Sequence, residues 1–158
     1  MWVLALALCA RAAVAGAADV HGASEAFAGP GIVMAWGILR GADDASTRVL
    51  LRMEVDPAYA DVAVLGVDPF THATRALVEH GRGSVALTAS RAQFAQFPRT
   101  EVRLFRARGG APAAEPEVVV YYVGVPDTTP EFDDAAKLDA YLEARLARLR
   151  ASAPRPAP

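Results

Sequence analysis

The chain has 158 residues, 53% hydrophobic and 22% charged, with a formal net charge of −2 and one cysteine. That is enough apolar material for one globular domain without a disulfide framework or metal staple, and it excludes a globally disordered chain. The mild acidity, with a pI near 5.9, gives no electrostatic reason to bind a phosphate backbone or an anionic membrane surface, so no nucleic-acid partner is expected. Every basic residue except Lys137 is arginine, which reads as the codon bias of a GC-rich bacterial genome rather than as function.

Met1 to Ala10 (MWVLALALCA) is apolar throughout, and Arg11 interrupts it. Ala12 to Ala18 follows, and its Ala15-Gly16-Ala17 fits the small-x-small pattern cut by signal peptidase. The apolar stretch falls short of the roughly 20 residues a membrane span needs. Residues 1–18 are therefore expected to be a cleavable signal peptide, placing the mature chain in the periplasm or outside the cell. The region before the apolar stretch carries no Lys or Arg, which departs from the usual pattern, and the alternative is a cytosolic protein with an Ala-rich N-terminal helix. Leu8, standing before Cys9, argues against lipidation. Cleavage removes Cys9, leaving no thiol chemistry in the mature domain, and removes Arg11, making the net charge one unit more negative.

Residues 19–30 read as a flexible lead-in. Gly31 to Arg40 (GIVMAWGILR) is apolar on both parities and rich in β-branched and aromatic residues, which predicts a central strand. Arg48 to Val55 alternates, with Leu51, Met53 and Val55 on one face and Arg52 and Glu54 on the other, the period-two pattern of a half-buried strand. Asp56-Pro57 stops it, and Val62 to Val67 is stopped in the same way by Asp68-Pro69. The two Val-Asp-Pro units align Met53 with Leu65 and suggest a β-meander. Further strands are predicted at Thr74 to His80, Ser84 to Ala89, Thr100 to Arg106 and Glu117 to Val125, about seven in all. The last (EVVVYYVGV) is apolar on both faces like the first, which places both deep in the fold, as possible neighbours.

Gly109 to Pro116 has the composition of a mobile surface loop. In Asp133 to Arg150, Leu138, Leu142, Leu146 and Leu149 recur at helical spacing, the start is acidic and the end basic, and Asp139 to Glu143 with Arg145 to Arg150 give a charged outer face. Residues 151–158 read as a disordered tail. The expected fold is an antiparallel β-sandwich of about seven strands, immunoglobulin-like in strand count and turn rhythm, closed by one C-terminal α-helix over 133–150.

No phosphate loop, nucleophile elbow, C-x-x-C or H-E-x-x-H motif occurs. A Zn²⁺ site from Asp68, His72 and His80 would require the strand between the histidines to reverse, so no metal or cofactor is expected. Phe94 to Arg108 mixes phenylalanines with arginines, but its alternation with Val102 and Leu104 is that of an ordinary two-faced strand. The densest polar cluster beside a buried strand is Asp127, Thr128, Thr129 and Glu131, next to Tyr121 and Tyr122. These six are the candidate ligand-binding residues. The competing structural reading has Asp127 and Thr128 organising a turn and Thr129 capping a helical turn begun by Pro130. No catalytic residue is nominated. The expected function is that of a non-catalytic binding or assembly module of the bacterial envelope with a protein partner. The alternative is a small enzyme or small-ligand carrier using the Asp127–Glu131 turn.

Overall fold

In the computed structural model, which describes residues 20–22, 26–68, 70–96, 99–123 and 128–155, the period-two segments become strands of two facing sheets. The order along the chain is β1 (Val20–Gly22), β2 (Ala26–Gly29), β3 (Ile32–Leu39), β4 (Arg48–Val55), β5 (Tyr59–Val67), β6 (Thr74–Gly81) and β7 (Ser84–Ser90). It continues with α1 (Arg91–Gln96), β8 (Arg99–Arg108), β9 (Ala111–Pro112), β10 (Val118–Val123), β11 (Glu131–Phe132) and α2 (Ala135–Ser152). The expected signal peptide lies outside the described residues.

The first sheet runs β3-β4-β7, with β2 and β11 sharing the other edge of β3; the second runs β1-β10-β8-β5-β6, with β9 added to β8. Pairing is antiparallel except for the short outer strands β1 on β10 and β11 on β3. The seven long strands are the seven expected from the sequence. Numbered by themselves, 1-2-5 faces 7-6-3-4, an immunoglobulin-like connectivity in which the fourth strand sits beside the third.

β3 is apolar on both parities because both its faces are covered. Ile32, Met34, Trp36 and Ile38 point between the sheets, where they meet Leu51 and Met53 of β4, Val62 and Val64 of β5, and Val102 and Leu104 of β8. Val33 and Ala35 point the other way, onto Leu138, Leu142 and Leu146 of α2. The result is three layers: sheet, sheet, helix. Asp134 caps the helix by accepting the Lys137 N–H at 2.9 Å.

Several expectations are corrected. β4 and β5 are not meander neighbours: the Asp56–Pro57 turn carries the chain from one sheet to the other, whereas the turn after Val67 closes a true hairpin. Strand parity does not carry across a change of sheet, so Met53 is fully buried between the sheets while Val62 and Val64, not Leu65, face inward from β5. β3 and β10 are both deep but lie in opposite sheets; β10 pairs with β8 and β1. The lead-in contains β1 and β2, and the Gly109 to Pro116 loop contains β9. Pro130 opens no helical turn, because it leads into β11. The helical charges do not all face outward: Arg52 of β4 reaches Asp139 (2.5 Å) and Glu143 (3.3 Å), and Arg150 reaches Glu54 (2.6 Å), so the polar face of β4 is bridged to α2.

Helix α1 was not anticipated. Ser90 Oγ accepts the Gln93 N–H at 3.1 Å while Gln93 Oε1 accepts the Ser90 N–H at 2.8 Å, a reciprocal capping box. The helix directs Phe94 into the core, edge-on to Trp36 with ring centroids 5.6 Å apart.

Candidate functional site

Strand directions gather several segments at one end of the sandwich. Leu39 at the end of β3 is opposite Arg48, which is opposite Ser90. In the second sheet Val67 pairs with Thr74 and Arg99, and Arg99 with Val123. α1 links Ser90 to β8 and so crosses between sheets there. The 40–47 loop, the turn from Asp68, α1 and residues 128–132 therefore share this end, an arrangement in which a rigid scaffold presents loops.

Glu131 is the hub of its polar network. Ile38 N–H donates to Pro130 C=O (3.0 Å) and Arg40 N–H to Phe132 C=O (2.8 Å), which fixes β11 on the edge of β3. Arg91 then donates to Glu131 Oε1 at 2.7 Å, Arg40 Nε donates to Oε2 at 3.2 Å, and Arg91 lies 3.8 Å from Asp44. Arg91 first, and Arg40 with it, holds the Glu131 carboxyl below its ordinary range. A carboxylate kept ionised by two guanidiniums is a poor proton acceptor, so the geometry suits fixed charge rather than general-base work. The 40–47 loop is tied to the network: Arg91 N–H donates to Thr47 C=O (3.0 Å) and Ala92 N–H to Asp44 C=O (3.2 Å). Ser46 donates through its N–H (2.8 Å) and hydroxyl (2.7 Å) to Asp43.

Of the six candidate residues, Asp127 lies outside the described residues. Tyr121 and Tyr122 occupy β10 in the second sheet, at positions opposite Glu101 and Thr100. Thr128 is exposed in a turn. Thr129 and Glu131 flank Pro130 at the first sheet, so these two are brought together while the tyrosines belong to the facing sheet. Thr129 caps nothing: it is 7% exposed and its Oγ1 has no hydrogen-bond partner among the described residues.

The sequence reading missed Arg40, Asp44 and Arg91 as partners of Glu131. The Ser90-x-x-Gln93 capping signature was the available signal, since it places Arg91 at the first position of a helix. It also missed Phe70. The Asp68 carboxylate accepts the N–H groups of Phe70 (2.8 Å) and Thr71 (3.1 Å), Asp68 N–H donates to Ala73 C=O (2.9 Å), and His72 N–H donates to Asp68 C=O (2.9 Å). The Thr71 and Phe70 N–H groups lower the Asp68 carboxyl. Their turn, with His72 at φ +57°, holds Phe70 out at 91% exposure.

Other carboxylates are matched elsewhere. On the outer face of the second sheet, buried Glu101 lies between Arg99 (3.1 Å) and Arg103 (2.7 Å). Glu117 takes a two-pronged contact from Arg106, whose guanidinium sits 5.6 Å from the Tyr59 ring centroid. Asp61 lies 2.7 Å from His80 Nδ1 and accepts the N–H groups of Val62 (2.9 Å) and Gly81 (3.1 Å). His72 precedes β6 and His80 lies near its far end, so the strand separates them. Among the described residues no group of three His, Cys, Asp or Glu is placed to hold a metal ion, and no helix is long and apolar enough to cross a membrane. Comparison with protein-family models, with curated proteins and with solved structures finds no match.

Proposed function

We propose that this chain is a non-catalytic binding or assembly module of a bacterial cell envelope, exported by a cleavable signal peptide, and that it meets a protein partner at the loop end of the sandwich. The observation that carries the reading is Phe70. A large aromatic held out in water on a hydrogen-bonded turn contributes nothing to the core, whereas aromatic anchors rimmed by charged groups are typical of protein contact sites. The Arg40–Glu131–Arg91–Asp44 network supplies such charges at the same end.

The test is native mass spectrometry of the protein purified from fractionated host cells, beside Phe70→Ser. A mass beginning at Ala18 or Asp19, with a stoichiometric protein partner that Phe70→Ser loses, supports the reading. An unprocessed cytosolic chain, or a partner retained equally by the variant, overturns it. One observation favours the second reading, a small-ligand carrier or enzyme on the 127–131 turn: the buried Thr129 hydroxyl has no hydrogen-bond partner among the described residues, a polar group that a bound ligand would satisfy. A small molecule released only on denaturation would support that reading.

A further inference from the structure

We propose that β7 is a self-pairing edge through which two copies of this chain join into one continuous sheet. β7 closes one side of the first sheet by pairing with β4, and its other edge meets no strand among the described residues. Open edges are ordinarily guarded by charge, proline or a bulge. β6, at the corresponding edge of the second sheet, carries Arg75, Glu79 and His80 and has register shifts against β5. β7 reads Ser84-Val85-Ala86-Leu87-Thr88-Ala89-Ser90, with no charge, no proline and an unbroken register against β4.

The phase of the ladder shows what this edge offers. Val55 N–H donates to Gly83 C=O at 2.8 Å, so alternation turns the backbone groups of Val85, Leu87 and Ala89 toward β4. Those of Ala86 and Thr88 then point to the open side, and the Ser90 N–H on that side is already taken by the Gln93 side chain. The segment is also uncharged on both sides of Leu87, with serine at each end. In an antiparallel two-fold pairing, Leu87 faces Leu87 of the second copy, Ala86 faces Thr88, Val85 faces Ala89, and Ser84 faces Ser90. Ala86 and Thr88 fall on hydrogen-bonded pairs, no like charges meet, and Val85, Leu87 and Ala89 lie on the inner face, as a self-complementary interface requires.

The inner face has something to gain. Between β6, β7 and α1 the sandwich gapes in a cavity of about 160 Å³ lined by Leu77, Leu87, Ala89 and Phe94, with Arg75 and Gln93 at its mouth. Leu77 and Ala89 are only partly buried there. Leu87 and Val85 of the second copy would cover that opening. The inference uses the side of the sandwich and does not depend on the loop-end reading above.

The test is light scattering coupled to size exclusion on the full chain, across a concentration series into the millimolar range. Thr88→Pro deletes an N–H on the open side without touching the bond to β4. The double substitution Ala86→Lys, Thr88→Lys sets ammonium groups opposite each other in both halves of the pairing. The expected result is twice the chain mass for the parent and the single mass for each variant, with circular dichroism unchanged. If Thr88→Pro fails to fold, the lysine pair decides. A parent that stays monomeric throughout, or a dimer that survives in a folded variant, overturns the proposal.

Discussion

Gly37 of β3 and Leu138 of α2 meet so closely that a Cβ built on Gly37 would stand 2.3 Å from Leu138 Cδ1. Leu138 is 1% exposed and packed among Leu142, Val33 and Ala35, so it has little room to swing aside. Gly37→Val is therefore expected to destabilise the fold by about 1–3 kcal/mol through overpacking. In urea the midpoint should fall with an unchanged slope. A midpoint equal to the parent's would mean that the helix does not rest on this strand.

The Ser90–Gln93 capping box holds α1 in the orientation that buries Phe94 against Trp36. Phe94→Ala removes a 5% exposed ring from the core and is expected to cost roughly 3–5 kcal/mol. Ser90→Ala should cost less, about 0.5–2 kcal/mol, since it removes one cap bond and no packing. Equal losses from the two substitutions, measured by chemical denaturation, would contradict this division of labour.

The long strands were legible because period-two alternation and Asp-Pro stops act locally: Arg48 to Val55 was bounded to the residue. The doubly apolar β3 correctly signalled a strand covered on both sides, but what covers it is not written in β3; the Leu138, Leu142, Leu146 stripe and Gly37 had to be brought together by the fold. Which sheet a strand joins is a tertiary choice, so the identical Val-Asp-Pro stops at 55 and 67 gave one sheet change and one hairpin. At the candidate site the sequence identified Glu131 but not Arg40 and Arg91, because arginine is this chain's general cation and composition does not distinguish a hub's partners. The short strands β1 and β11 depend on long-range pairing with β10 and β3, and β2, hairpinned to β3 through Pro30-Gly31, is too short to show a pattern of its own.

Acid should weaken the fold partly through Asp61 and Glu117. Burial raises the Asp61 carboxyl, but the His80 contact and the Gly81 and Val62 N–H groups outweigh it, leaving the group below its ordinary value. Glu117 is lowered by Arg106. A carboxyl lowered in the folded state contributes stability that is complete above its unfolded value. That stability is lost as pH falls through the folded one, here below about pH 5. Urea midpoints measured from neutral to acid pH should drop less steeply in Asp61→Asn than in the parent. Parallel curves would show that Asp61 titrates alike in both states.

Thr129 separates the two readings of the loop end. Its hydroxyl is buried without a hydrogen bond among the described residues, so the oxygen gains nothing there for its lost hydration. Thr129→Val keeps the shape and deletes that oxygen, and is expected to leave stability unchanged or raise it by up to about 1 kcal/mol. Thr→Val at a satisfied buried site would instead destabilise. If the protein purified from its host carries a small molecule that this variant no longer retains while its denaturation midpoint holds, the hydroxyl serves a ligand. The binding-module reading then yields to the carrier. If the variant keeps its protein partner and gains stability, Thr129 is a packing residue and the contact belongs to Phe70 and the arginine–glutamate network at the same end of the sandwich.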